Sequence, residues 1–392
     1  MTAKKKLLIL SCTGGYGHIA AANTLQTLLS DEYEMEVVYP IKDLRICKVP
    51  NGEAFYNYLL TNNLTPLTNW IVRTFPAKLF AQRSKKIKRM IETHISEKKI
   101  DCVISLIPFV DYPASEAARK MGIPFILVTT DNDLHNWAID LDQKKHHQFK
   151  MTVGFDLPTS KGTMLAKNIP EEEIEVIGLP LRPEFLQMKS KEELRSEYEI
   201  LQNKNVVLIM MGGTGARLSY QYLKAISQYS QNLHLIVCAG RSKKMAKKLK
   251  SIHPATGNTI DIIPFTEKVH ELFALSDLIL TKPGPGSINE AISCKLPILL
   301  DRIKPPVFWE EANIDLVLKY GIGACIRTVS EAPEMISRFL FDEQVRESVA
   351  RAYEKVPVNQ FADRIKPLLE EMMGQNLSGE VVMTSRSMGT NL

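Results

Sequence analysis

Val206-Val-Leu-Ile-Met-Met-Gly-Gly-Thr-Gly-Ala216 decides the fold, because an apolar run ends there in a glycine-rich turn and passes straight into a helical pattern. Val206–Met210 reads as a buried strand and Arg217–Gln228 as the helix after it. The chain opens the same way: Lys6–Ser11 runs into Thr13-Gly-Gly-Tyr-Gly-His18 and a helix over Ile19–Leu29. Further apolar runs at Glu36–Tyr39, Cys102–Ser105, Phe125–Val128 and Met151–Val153 alternate with helical patterns at Ala77–Ile95, Tyr112–Met121 and Ser160–Asn168. After the restart at Val206 come strands at Leu233–Cys238, Thr259–Ile263, Leu278–Leu280 and Pro297–Leu300. Such alternation predicts parallel sheets covered by helices on both faces. The reading is α/β: two tandem Rossmann-like domains with a ligand cleft between the carboxyl ends of their strands.

Gly178-Leu-Pro-Leu-Arg-Pro183 cannot continue a helix and marks the join. The expected domains are therefore 1–180 and 181–355. A C-terminal helix over 356–375 and a disordered tail over 376–392 follow, the tail being small, polar and aperiodic.

The chain has 392 residues, 45% of them apolar and 24% charged, a globular composition. Six cysteines stand far apart with no C-x-x-C pair, which argues against a disulfide framework or a zinc site. The apolar run Leu7–Leu10 is too short for a signal peptide, and no stretch reaches the roughly 20 apolar residues that span a bilayer. The expected location is the cytoplasm, with peripheral attachment to the inner face of a membrane.

That attachment is read from one interval. Between Glu53 and Glu92 no acidic residue occurs, while Arg73, Lys78, Arg83, Lys85, Lys86, Lys88 and Arg89 are basic. Trp70, Phe75, Leu79 and Phe80 lie among them. Cations mixed with large apolar groups over 54–91 suit an anionic membrane surface; a solvated basic face on an ordinary amphipathic helix is the plainer alternative. Nucleic acid is not expected as a partner, since no recognition motif accompanies the charge.

Three elements carry chemistry. In the first loop, His18 stands at a helix start, placed to act as a general base toward a hydroxyl, or merely to cap its own turn. In the second, Gly213, Thr214 and Gly215 precede a helix, so backbone amides and helix dipole suit a phosphate cradle; a plain tight turn, the alternative, needs one glycine rather than three. The third, Thr281-Lys-Pro-Gly-Pro-Gly-Ser-Ile-Asn-Glu-Ala291, is the most specific. Ser287 and the freed amides at the helix start are placed to hold a second phosphate, with Lys282, Gly284 and Gly286 as further donor-binding candidates. Glu290 is placed to take both hydroxyls of a ribose, or serves only as a first-turn partner of the helix dipole. Upstream, Phe265 and Val269 are candidates to flank a flat base, a place in the core being the plainer alternative for either.

In this order the motifs resemble GT-B glycosyltransferases that make glycolipids, above all the monogalactosyldiacylglycerol synthases and bacterial diacylglycerol glucosyltransferases. The likeness runs from about Lys6 to Lys355. It rests on Gly15-Tyr-Gly-His18, Thr130-Asp131 with His135 and Trp137, Gly178–Phe185, Gly212–Ala216 and Thr281–Ala291. It implies a UDP-sugar donor held by the second domain, a lipid acceptor held by the first, and hexose transfer with inversion. It implies no cofactor and no obligatory metal ion. Asp131-Asn-Asp133 has metal-motif spacing but is read as the family's Thr-Asp element, with Asp131 a second candidate base beside His18.

The chain departs from the family at Val307-Phe-Trp-Glu-Glu-Ala-Asn313, where the usual pattern is Pro-Gly-Gln-Glu-x-x-Asn. Trp309 stands where a glutamine would bind sugar hydroxyls, and Glu310 and Asn313 remain. An indole offers one donor and a flat face in place of an amide's paired donors and acceptor, so the sugar is left open. The alternatives are a GT-B transferase for another acceptor, a nucleotide-sugar epimerase, or a catalytically silent nucleotide-sugar-binding protein.

Overall fold

A computed structural model of the chain describes residues 4–13, 16–43, 55, 58, 59, 64–137, 148–212, 216–229 and 232–383. Contacts divide the chain into two units, the first made of Met1–Asn57, Trp70–Arg182 and Asn359–Leu392, the second of Tyr58–Asn69 and Pro183–Val358.

From the N-terminus the elements are β1 (Lys5–Leu10), α1 (Tyr16–Leu29), β2 (Tyr33–Val38), α2 (Pro40–Asp43), α3 (Thr65–Thr74) and α4 (Pro76–Lys98). Then come β3 (Cys102–Ser105), α5 (Asp111–Met121), β4 (Phe125–Val128), β5 (Phe149–Val153), α6 (Thr163–Ala166) and β6 (Ile174–Val176). The six strands form one parallel sheet in the order β2-β1-β3-β4-β5-β6. Successive residues of a strand point to opposite faces, and the core divides accordingly. Leu8, Leu10, Phe125 and Leu127 pack on one face with Phe80, Ile87, Ile91 and Ile95 of α4. Leu7, Ile9, Ile126 and Val128 pack on the other with Ala21, Ala22 and Leu25 of α1.

The second unit runs through α7 (Lys191–Glu197), β7 (Asn205–Met210), α8 (Ala216–Ser227), β8 (Leu233–Gly240), α9 (Lys243–Leu249), β9 (Thr259–Pro264) and α10 (Val269–Ala274). It continues with β10 (Leu278–Thr281), α11 (Pro285–Ser293), β11 (Ile298–Asp301), α12 (Glu311–Tyr320), β12 (Gly323–Ile326), α13 (Ala332–Phe341) and α14 (Glu343–Tyr353). Its parallel sheet has the order β12-β11-β10-β7-β8-β9. Gly323 must be bare, because a Cβ there would collide with the Ile298 carbonyl of the neighbouring strand.

The last helix, α15 (Phe361–Met383), returns to the first unit. Phe361, Ile365, Leu368, Leu369, Met372 and Met373 complete the α1 face of its core. Asn359 leads the return: its Nδ2 donates to the Leu179 carbonyl at 2.8 Å, and it fills the space that a Cβ at Gly178 (φ +99°) would need. The helix starts later than the expected 356 and continues over 376–383, where a disordered tail was expected. Extending a formed helix costs far less than nucleating one, and Gly379 is the one strong helix breaker in that stretch. Residues 384–392 of that tail lie outside the described residues.

Candidate active site

In each sheet the chain reverses its direction of winding beside the first strand, between β1 and β3 and between β7 and β10. Ligands of doubly wound sheets bind outside the carboxyl ends of strands at such points. The residues that follow β1, β3, β7 and β10 therefore flank these two points.

In the first unit, His18 lies on the first turn of α1, half-buried. Its Nδ1 is 2.7 Å from the carbonyl oxygen of Leu106, just past β3, and 3.1 Å from the Thr130 hydroxyl. A carbonyl oxygen only accepts, so Nδ1 carries the proton and the lone pair of the neutral ring sits on Nε2. Trp137, 1% exposed, has its ring centroid 6.3 Å from that of His18 and donates its indole N–H to Asp131 Oδ2 at 3.3 Å. The structure thus gathers His18, Thr130, Asp131 and Trp137 and spends one Asp131 oxygen on the indole. His135 folds back on Asp133, its Nδ1 3.0 Å from Oδ1.

In the second unit, Gly213, Thr214 and Gly215 lie outside the described residues. Their neighbour Gly212 (φ +69°) begins the turn, in a backbone region open to glycine. A Cβ there would stand 2.9 Å from Lys282 Cε, so the lysine stem crosses the bare face of the turn. Lys282 Nζ meets Glu310 Oε1 at 3.1 Å. Gly284 is the N-cap of α11, and its open side faces Lys282 Cε and Glu310 Oε1 at 3.6 and 3.7 Å from the Cβ position. Gly286 and Ser287 occupy the first turn, Gly286 with open space beside it, and Glu290 lies on the next turn, 8% exposed.

Hydrogen bonds brace this corner. Thr281 Oγ1 donates to the Met210 carbonyl at 2.6 Å, tying the ends of β10 and β7, and buried Asn313 donates to the Pro283 carbonyl at 2.9 Å. Tyr222 of α8 donates to Asp301 at the end of β11 at 2.5 Å; burial raises the Asp301 carboxyl and the Tyr222 phenol above their usual ranges. Trp309 is half-buried and edge-on to Phe308, with centroids 4.9 Å apart.

Phe265 stands farther along the sheet, past the edge strand β9, with 47% of its surface exposed. Val269 opens α10, half-buried. The Arg241 guanidinium lies 4.2 Å from the Phe265 ring centroid, making a flat cationic platform the motifs did not announce. Also unannounced is Asn69, whose Oδ1 accepts from Phe308 N–H at 3.0 Å and whose Nδ2 donates to the Pro306 carbonyl at 3.4 Å. A surface cavity of about 720 Å³ between Tyr198, His234, Leu249 and Asp261 is lined by none of the glycine-loop residues.

Residues 206–300, the segment that holds β7 to β11 with both glycine loops, match the glycosyltransferase family 28 C-terminal domain. Over 382 residues the chain is 24% identical to a processive diacylglycerol beta-glucosyltransferase of Bacillus cereus (strain B4264), covering 93% of this chain and 94% of that relative. The chain is a glycosyltransferase. The glycosyltransferase has the GT-B fold, and its path follows MurG of Acinetobacter baumannii with a TM-score of 0.61 at 16% identity, over 94% of this chain and 100% of that one. A UDP-GlcNAc 2-epimerase from Neisseria meningitidis, solved with UDP-GlcNAc, shares the fold at a TM-score of 0.55 and 15% identity, over 94% and 100%. Fold alone therefore does not separate sugar transfer from epimerisation; the family 28 match and the full-length relative do.

Proposed function

We propose that this glycosyltransferase moves a hexose from a UDP-sugar to a lipid hydroxyl, such as that of diacylglycerol, at a membrane surface, with inversion and without a metal ion. The observation that carries the chemistry is His18: with Nδ1 donating to the Leu106 carbonyl, Nε2 is the basic nitrogen offered to an acceptor. The hydroxyl gives its proton to Nε2 as its oxygen bonds to the anomeric carbon, and the bond from that carbon to the diphosphate breaks with its electron pair. The leaving UDP carries the new charge. First-turn amides of α11 have no intrahelical acceptor, and with the Lys282 ammonium they stabilise that charge as it grows. Glu290 holds the ribose, and Phe265 with Arg241 flanks the base.

The lipid acceptor is supported by the likeness to the diacylglycerol enzyme and by the surface of α3 and α4. Leu67, Trp70 and Phe75 are 42%, 56% and 50% exposed, and Arg73, Lys78, Lys85, Lys86 and Arg89 are exposed beside them in sequence. Among the described residues no helix is long and apolar enough to cross a bilayer.

Labelled UDP-glucose, UDP-galactose and UDP-N-acetylglucosamine incubated with vesicles containing diacylglycerol test the reaction. The parent should label lipid from one of them, and His18→Ala should lower turnover by about 10²–10⁴-fold, the usual contribution of a general base, with UDP affinity retained. Transfer by the variant at the parent rate moves the base to Asp131; no labelled lipid from any donor discards the acceptor.

A further inference from the structure

The Lys282–Glu310 pair has an unusual setting. Glu310 is 8% exposed, and its carboxylate lies beside Gly284, the N-cap of α11. A helix N-terminus favours an anion, and here the anion is a side chain of the chain itself. Its cation is the more accessible partner, with 41% of the Lys282 side chain exposed against 10% for Glu310. The lysine stem runs across Gly212, at the start of the other glycine turn. A carboxylate thus rests on the cation and helix end that a phosphate of the donor would use.

We infer that Glu310 is a stand-in for the donor diphosphate: on binding, the diphosphate takes Lys282 and the α11 end, and the released carboxylate accepts hydroxyls of the donor sugar. The inference rests on the donor assignment above. Two physical points favour the exchange. The diphosphate carries more charge than a carboxylate and competes well for an ammonium on a flexible stem. A buried carboxylate stripped of its cation is costly unless other donors replace it, and sugar hydroxyls beside the diphosphate are such donors. UDP alone therefore pays for separating the pair without the compensating contacts, whereas a UDP-sugar restores them. The pair makes binding selective for the intact donor over the product nucleotide.

Calorimetric titration of UDP and of UDP-glucose into the full chain tests this, with Glu310→Gln, Lys282→Met and the double variant. Glu310→Gln removes the competitor and should tighten UDP by about 3–10-fold, the difference between a charged and a neutral hydrogen-bond partner. It should also shrink the advantage of UDP-glucose over UDP. Lys282→Met should weaken both ligands, and in that background the gain from Glu310→Gln should disappear. Weakened or unchanged UDP binding by Glu310→Gln overturns the exchange while leaving the donor site standing. A gain that persists undiminished without Lys282 overturns it too, since through-space charge then accounts for the effect. If neither uridine nucleotide binds the parent, the donor assignment falls and takes the exchange with it.

Discussion

At the scale of single residues, Trp309 stands where the family resemblance leads one to expect a glutamine. An indole in the donor site would leave unsatisfied any sugar hydroxyl that an amide holds, and an unmade buried hydrogen bond costs about 1–3 kcal/mol. Trp309→Gln should therefore shift relative turnover among UDP-glucose, UDP-galactose and UDP-N-acetylglucosamine by roughly 5–100-fold. If the indole belongs to the packing around Phe308 instead, the melting point falls and the ratios stay. Measuring both on one variant separates the two outcomes. His18 and Lys282 were legible in the sequence because each sits in a local turn. The long-range contacts around them were not: Leu106 meets His18 from 88 residues away, Thr130 from 112, and Asn69 reaches Phe308 across 239. A hydrogen-bonding side chain carries no mark of its partner until the fold supplies one, so Asn69 read as an ordinary polar residue, and Thr130, though part of the Thr-Asp element, gave no sign of its contact with His18.

Among the elements, α4 shows how periodicity separates two uses of one helix. Phe80, Ile87, Ile91 and Ile95 are buried at helical spacing, leaving Lys85, Lys86 and Arg89 exposed. Lys88, grouped with them in sequence, is half-buried and pairs with Glu116 at 3.5 Å, so it belongs to the α4–α5 packing. Converting Lys85, Lys86 and Arg89 to Gln should cut sedimentation with phosphatidylglycerol vesicles by roughly 100-fold, at about 1 kcal/mol per cation. UDP affinity should not change. High salt should reproduce the loss, since exposed charges are screened within about 10 Å at 0.1 M; equal vesicle binding by parent and variant returns the helix to a structural role. Strands with full apolar runs were legible, whereas β6 and β12 were not. Each is a short edge strand, Ile-Glu-Val in one case and Gly-Ala-Cys-Ile in the other. An edge strand buries less and needs less apolar signal, and β12 is defined by the bare backbone of Gly323 rather than by side chains.

For the whole molecule, two windings were readable from the repeated strand–turn–helix order, but the destination of α15 was not. An amphipathic helix announces that it has an apolar face and not which core receives it. Ending the chain after Val358 removes six buried apolar side chains from the first unit. At about 1.5–3 kcal/mol each, their loss is comparable to the whole stability of a domain. The first unit should then unfold at low urea or be cut rapidly by protease, while UDP still binds the second. Loss of UDP binding together with the first unit would mean that the second does not stand alone.

The same return of α15 sets an order in time. During synthesis the strands of the first sheet leave the ribosome early, yet Phe361–Met373 follows only after all of 183–358. At 5–20 residues per second the wait is roughly 10–40 s. Through that interval Leu7, Ile9, Ile126 and Val128 lack part of their cover, while the later sheet has every strand it needs. The part of the chain made first is the part finished last, and a nascent polypeptide whose residue 358 has just left the ribosome would carry a complete second unit together with an apolar surface on the first that is fit for a chaperone.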